Sequence, residues 1–269
     1  MSRIITAEEM ARNYQKELKN IRMMRWLTLV VFLVLLWLLR DKMNPIMAVG
    51  AVLVFFLGLQ FLRSMQVQQF ATLQRVLNYE CDATKYTAIM EQLAVNPGKE
   101  ATAIKLCLAR GQYCSGRFEE ALETLNSFYM ERPSVGTAVL YHSTAFGCHA
   151  ELGDMERAQE VRQTMEALLN AINPKQRGTV QQQMLLMDAV LALKEDRYEE
   201  FFPLQKRVAE EALAPLQKVL ALYYLAQGEL VQGEDTVARE HLLEVMEQGC
   251  TTFMAAEAAN LLEEFSLSE

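Results

Sequence analysis

The chain has 269 residues, 51% of them hydrophobic and 22% charged, with a formal net charge of −8. That balance excludes a disordered tail and leaves room for one ordered domain of ordinary size plus a short membrane segment. Residues 1–63 hold 9 Lys/Arg against 4 Asp/Glu, so the rest of the chain carries a net −13; an acidic body repels phosphate backbones, which speaks against nucleic-acid binding.

The five cysteines (Cys81, Cys107, Cys114, Cys148 and Cys250) are odd in number, widely spaced and free of any C-x-x-C pattern. They suit a reducing compartment and ordinary buried thiols rather than a disulfide framework or a metal site.

From the N-terminus, "TAEE" (6–9) matches a capping box, Thr6 capping and Glu9 answering. Met10, Tyr14, Leu18 and Ile21 then share one stripe at helical spacing, which predicts an amphipathic helix over residues 1–25. Such a helix rests on a membrane surface or binds a partner. Two apolar runs follow, "WLTLVVFLVLLWLL" (26–39) and "IMAVGAVLVFFLGLQFL" (46–62), separated by "RDKMNP", where Pro45 forces a break. With its flanking residues each run reaches about 17 residues, near the lower bound for crossing a bilayer. Residues 26–63 therefore read as a tight transmembrane hairpin, with a shallow hairpin within one leaflet as the alternative. A secretory signal peptide fits less well, because its leading region would be 25 residues long, no A-x-A site follows and a second apolar run does.

Orientation follows from the cations. Arg12, Lys16, Lys19, Arg22 and Arg25 precede the first run, against Arg40 and Lys42 in the connecting loop, and this bias puts the N-terminus in the cytosol. Two crossings return the body to the same side. Gly50 and Gly58 are not a G-x-x-x-G pair, so nothing in the hairpin specifies a dimer, and self-association is left open.

From about residue 64 to 265 helical periodicity is nearly unbroken, punctuated by turn signals near 97–100, 115–117, 133–136, 153–154, 173–178, 195–197, 214–215 and 232–235. The pattern predicts an all-α domain of stacked helix pairs over residues 64–269. One small pattern recurs. Leu108 and Ala109 lead to Gly116, Phe118, Ala121 and Leu125, with Pro133 closing the unit; Ala145 leads to Gly153, Met155 and Ala158; and Leu225 and Ala226 lead to Gly233 and Ala238. Between the last two lies "EDRYEEFF", which keeps Tyr198 but puts Phe201 where a small Ala belongs, with Pro203 two residues on.

These residues resemble the tetratricopeptide repeat (TPR) family, whose α-solenoid stacks such pairs so that neighbours bury a core no unit could bury alone. The spacing between Ala121, Ala158, Phe201 and Ala238 is 37, 43 and 37 residues, longer than the family's period of about 34. "ATKYTAIMEQLAVNP" (83–97) reads as the second helix of an earlier unit whose first helix, 64–80, runs straight out of the membrane. "TTFMAAEAANLLEEF" (252–265) reads as a terminal cap, with Phe253, Ala256, Leu261 and Leu262 closing the stack.

No catalytic constellation is legible, and the chain reads as non-enzymatic, without cofactor or metal. His142 and His149 lie about 10 Å apart along a helix, too far to share a metal, and "REHLL" (239–243) is not H-E-x-x-H. Glu119–Glu120 and Glu199–Glu200 sit at helix starts, where the dipole favours acids; Met165, Met184 and Met187 fall at core spacing. The TPR resemblance implies a peptide groove lined by the first helix of each pair, here Leu106, Arg110 and Tyr113, then Leu140 and Ser143, Leu186 and Val190, and Tyr223 and Gln227. The Lys/Asn/Arg set with which some family members clamp a C-terminal carboxylate is missing there. The expectation is a membrane-anchored scaffold or adaptor that binds protein partners at the cytosolic face of a bacterial plasma membrane. The alternative is a structural subunit of a larger membrane complex, with Arg110, Tyr113 and Tyr223 covered.

Overall fold

The computed structural model describes residues 6–39 and 45–268. Among them it is all-α, with no strand. Twelve α-helices follow in order: α1 (Ala7–Leu39), α2 (Pro45–Asn78), α3 (Ala83–Val95), α4 (Ala101–Cys114), α5 (Phe118–Asn126), α6 (Val135–Glu151), α7 (Met155–Ala171), α8 (Arg177–Lys194), α9 (Tyr198–Glu210), α10 (Pro215–Val231), α11 (Asp235–Gln248) and α12 (Phe253–Ser268). The chain divides into two compact units, residues 1–75 and 76–269.

In the first unit the capping box forms as expected: Thr6 N–H donates to Glu9 Oε2 at 3.3 Å and Glu9 N–H to Thr6 Oγ1 at 3.2 Å. The helix it starts does not stop at residue 25. No Gly or Pro stands between residues 7 and 39, so nothing interrupts the hydrogen-bond ladder and α1 runs on through the apolar segment. α2 begins at Pro45, whose missing N–H costs nothing in a first turn; the expected turn at 40–44 lies outside the described residues. The two helices run antiparallel. Phe32 stacks on Phe55 at 4.3 Å between centroids, Gly58 approaches Thr28, Arg25 Nη2 donates to Gln66 Oε1 at 2.7 Å, and Tyr14 meets Phe70 at 6.2 Å. Tyr14 and Ile21, on the N-terminal stripe, are buried within this protein, so that stripe does not lie open to a lipid surface. Beyond it the apolar residues turn outward. Trp26, Leu27, Leu33, Trp37, Val54, Phe56, Leu57 and Phe61 are all exposed, and α1 and α2 are both long and apolar enough to cross a membrane.

In the second unit each helix from α3 packs on its neighbours in sequence, and α4, α6, α8 and α10 also touch in series. The repeated glycines explain the turns. Gly116, Gly153 and Gly233 take φ of +78°, +74° and +76° at the ends of α4, α6 and α10, and Asp196 takes +59° at the end of α8. Each ending has the same two bonds. The residue after the turn donates back five positions (Arg117 to Gln112, Asp154 to His149, Arg197 to Ala192, Glu234 to Glu229, at 2.8–2.9 Å), and the turn residue itself donates back three. That is a Schellman cap, which satisfies the orphan carbonyls of a helix end and needs a left-handed residue. The unit containing "EDRYEEFF" is therefore a full member of the series, and α9 continues through Pro203.

At Gly153 a Cβ would meet nothing, so Gly153→Ala isolates the backbone cost. It should destabilise the detergent-solubilised chain by about 1 kcal/mol, and Gly153→Asn by less. Denaturant midpoints followed by circular dichroism measure both; equal midpoints for Ala and Gly would show that the turn relaxes.

Candidate interaction site

The nine residues expected along the first-helix face do not line one open groove. Leu106 is buried in a core cluster with Ala109, Leu125 and Ala145, and Leu140 packs against that same cluster. Arg110 Nη2 donates to Asn78 Oδ1 at 2.7 Å. Tyr223 is buried. Tyr113, Ser143, Leu186 and Val190 do come together. With Thr144, Phe146, Gly147, Gln183, Leu220 and Tyr224 they line a cavity of about 80 Å³, room for one aliphatic side chain and no peptide.

Around Tyr113 and Tyr223 that face is covered by the chain itself. The residue responsible is Phe253, at the start of α12. Its ring lies 5.6 Å from Tyr113, 5.1 Å from Phe118 and 5.7 Å from Tyr223, each edge-on, the geometry in which ring quadrupoles attract. Gly116 makes the approach feasible: a Cβ there would stand 3.1 Å from Phe253 Cβ. The sequence marks Phe253 as a cap residue, but not that the cap folds back onto α4 and α5 as well as α10.

A polar line runs beneath these rings. Tyr224 Oη donates to Glu151 Oε1 at 2.5 Å, joining α10 to α6. Burial, reinforced by the Glu151 carboxylate, pushes the hydroxyls of Tyr113, Tyr223 and Tyr224 above their ordinary range. All three stay protonated, and Tyr224 bridges α10 and α6 as a donor rather than serving as a base. Sequence reasoning missed Glu151 and Tyr224, because a carboxylate at a helix end and a Tyr at core spacing each have ordinary explanations taken singly.

A second cleft, of about 310 Å³, lies among α5, α6 and α7 and is lined by Asn126, Tyr141, His142, His149, Arg157 and Glu160, among others. Here the two histidines share one wall. Burial lowers the pKa of both; for His149 the carboxylate of Asp154, 3.5 Å from Nδ1, opposes that effect without overcoming it. Folding thus holds both rings neutral below their ordinary range. The unfolded chain binds more protons there, and stability falls as pH drops below about 6.5. Replacing both by Gln should flatten the loss between pH 7 and pH 5; parallel thermal unfolding curves for wild type and variant would refute it. Among the described residues no three His, Cys, Asp or Glu side chains gather as a metal site requires.

Compared with known protein families, with curated proteins and with solved structures, the chain matches none.

Proposed function

We propose that this protein is a membrane-anchored, TPR-like α-solenoid scaffold, held in the bilayer by residues 26–63, that binds partner proteins at the cytosolic face of a bacterial plasma membrane. Its supports are the outward-facing apolar side chains of α1 and α2 and the four helix pairs of the second unit that share one capping geometry. The cations from Arg12 to Arg25, in the first half of α1 ahead of its apolar segment, support the orientation. Of its two forms, an adaptor with an open groove and a structural subunit without one, the packing of Phe253 over Tyr113 and Tyr223 favours the subunit. Partners then meet the outer surfaces of the stack, which are acidic overall.

Membrane residence is tested by charge. Val54 and Leu57 are 70% and 69% exposed, and an Arg at the centre of a span costs about 2.5–3.5 kcal/mol on insertion scales. Val54→Arg with Leu57→Arg should move the chain out of the alkali-resistant membrane fraction, whereas Val237→Arg on α11 should not. Retention of the double variant would sink the anchor. The subunit form expects a complex of fixed stoichiometry in native gels, larger than the 30.7 kDa chain, that survives Ser143→Ala with Leu186→Ala. Loss of the complex in that variant would restore the open-groove adaptor.

A further inference from the structure

The turn between α11 and α12 meets the turn between α2 and α3, both within the second unit. Thr251 N–H donates to Cys81 O at 3.3 Å, Thr251 Oγ1 donates to Asp82 Oδ1 at 2.9 Å, and Thr84 N–H donates to Thr251 Oγ1 at 3.0 Å. These bonds place Cys250 beside Cys81. Covalent geometry through the 3.3 Å bond holds the two Cα atoms within about 8 Å of each other, and disulfides form across Cα separations of about 4.4–6.8 Å. We propose that Cys81 and Cys250 form a redox modification site, a dithiol that a low-molecular-weight disulfide converts into a Cys81–Cys250 cross-link tying the first hairpin turn of the helical unit to its last.

Both cysteines stand where a glycine would be easier. Cys81 has φ +51° and Cys250 has φ +49°, left-handed conformations that a side chain makes costlier by about 1 kcal/mol. The turns that end α4, α6 and α10 use Gly116, Gly153 and Gly233, and the one that ends α8 uses Asp196. Gly249 lies next to Cys250, yet the left-handed conformation falls on the cysteine. Two strained positions brought together by hydrogen bonds, both cysteine, point to sulfur chemistry. The other three thiols do not compete, since Cys107, Cys114 and Cys148 are all buried.

The pair is unequal in the way a two-step exchange requires. Cys250 is exposed and Cys81 is fully buried, so Cys250 is the sulfur a soluble disulfide reaches. Its thiolate attacks one reagent sulfur, the reagent S–S bond breaks and one thiolate leaves. Cys81 then gives its proton to solvent and attacks the Cys250 sulfur of the mixed disulfide, releasing the second reagent thiol. Two protein thiols are oxidised by two electrons and the reagent is reduced to two thiols. Burial, with Cys250 adding to it, pushes the Cys81 thiol up to about 11, so the second step is slow and the cross-link forms under sustained oxidation rather than at once. Because Phe253 follows Cys250 by three residues, the bond would also fix α12 over Tyr113 and Tyr223. In a reducing compartment the site rests as the open dithiol.

The site is independent of any partner, and so is its test. The full-length chain in detergent is incubated with oxidised glutathione, free thiols are blocked after denaturation, and intact mass and peptide masses are recorded. The expected product is lighter by two hydrogen atoms, yields one cross-linked peptide pair containing Cys81 and Cys250, and reverts with dithiothreitol. Cys250→Ser should abolish it and Cys107→Ser should leave it. Hydrogen exchange across residues 253–264 should slow by about thirtyfold or more in the oxidised form. A glutathione adduct persisting on Cys250 while Cys81 stays free, or a cross-link joining any other pair, would overturn the assignment.

Discussion

Phe201→Ala should cost about 3–5 kcal/mol, and it should reverse the sign of a second substitution, Gly228→Ala. Phe201 is fully buried, and its ring lies where a Cβ on Gly228 would be: the added atom would overlap Cε1 and come within 3.0 Å of Cδ1. In the wild-type background Gly228→Ala gains about 1 kcal/mol of helix propensity but forces a ring in a packed core to move, an overpacking cost of about 1–3 kcal/mol or more, so the net effect is destabilising. With Phe201 already cut to Ala the overlap is gone, and the same change should stabilise by about 1 kcal/mol. The double-mutant cycle, read from denaturant unfolding of all four proteins, should therefore show a coupling of about 2 kcal/mol or more between the two sites. Additive effects would mean that the ring and the glycine do not share space in solution.

That pair shows why part of this fold can be read from the sequence and part cannot. Read alone, Phe201 looks like damage to a repeat whose other members hold Ala121, Ala158 and Ala238. The compensation lies 27 residues downstream, at Gly228, five residues before the next turn. The first helix pair uses the same exchange: Tyr86 stands at the Ala place, and Gly111, five residues before Gly116, takes its bulk, with a Cβ there meeting Tyr86 Cδ1 at 3.0 Å. In the other two pairs Ala121 and Ala158 are followed at that place by the larger Cys148 and Leu191. What the fold conserves is the summed volume at a crossing, and a single-position pattern cannot express a sum.

The helix ends were legible for the opposite reason, since each turn depends on one local residue in a left-handed conformation and little else. Asp196 is the informative exception. Its carboxylate accepts from Tyr198 Oη at 2.6 Å, a local bond of the kind that lets Asp take that conformation. The expected groove residues were placed by their position within each unit, and the structure does not gather all of them along one open face. Whether a face stays open depends on what folds back onto it, and Phe253 lies 140 residues from Tyr113 in sequence. Periodicity carries no information at that range.

Phe253→Ala follows from that contact and should act locally. Each edge-on ring pair contributes about 0.5–1.5 kcal/mol beyond burial, and the substitution removes three of them together with an almost fully buried side chain, a total of about 3–5 kcal/mol. α12 is tied down mainly at this end, so the loss should fall on its docking rather than on the whole unit. Amide exchange over residues 253–264 should rise by about a hundredfold or more, while α8 and α9 keep their protection. Leu213→Ala, at an 80% exposed position, should change neither. The tyrosine hydroxyls give a second reading. Burial holds Tyr223 protonated above its ordinary value of about 10, so its contribution to stability is complete below that value and is lost as pH rises through the alkaline range. Opening the face admits water and should bring its ionisation, followed by phenolate absorbance, back toward about 10. If exchange in α12 and the tyrosine titration both stay at wild-type values, Phe253 does not hold the face closed, and a partner peptide could then reach Tyr113 and Tyr223 directly.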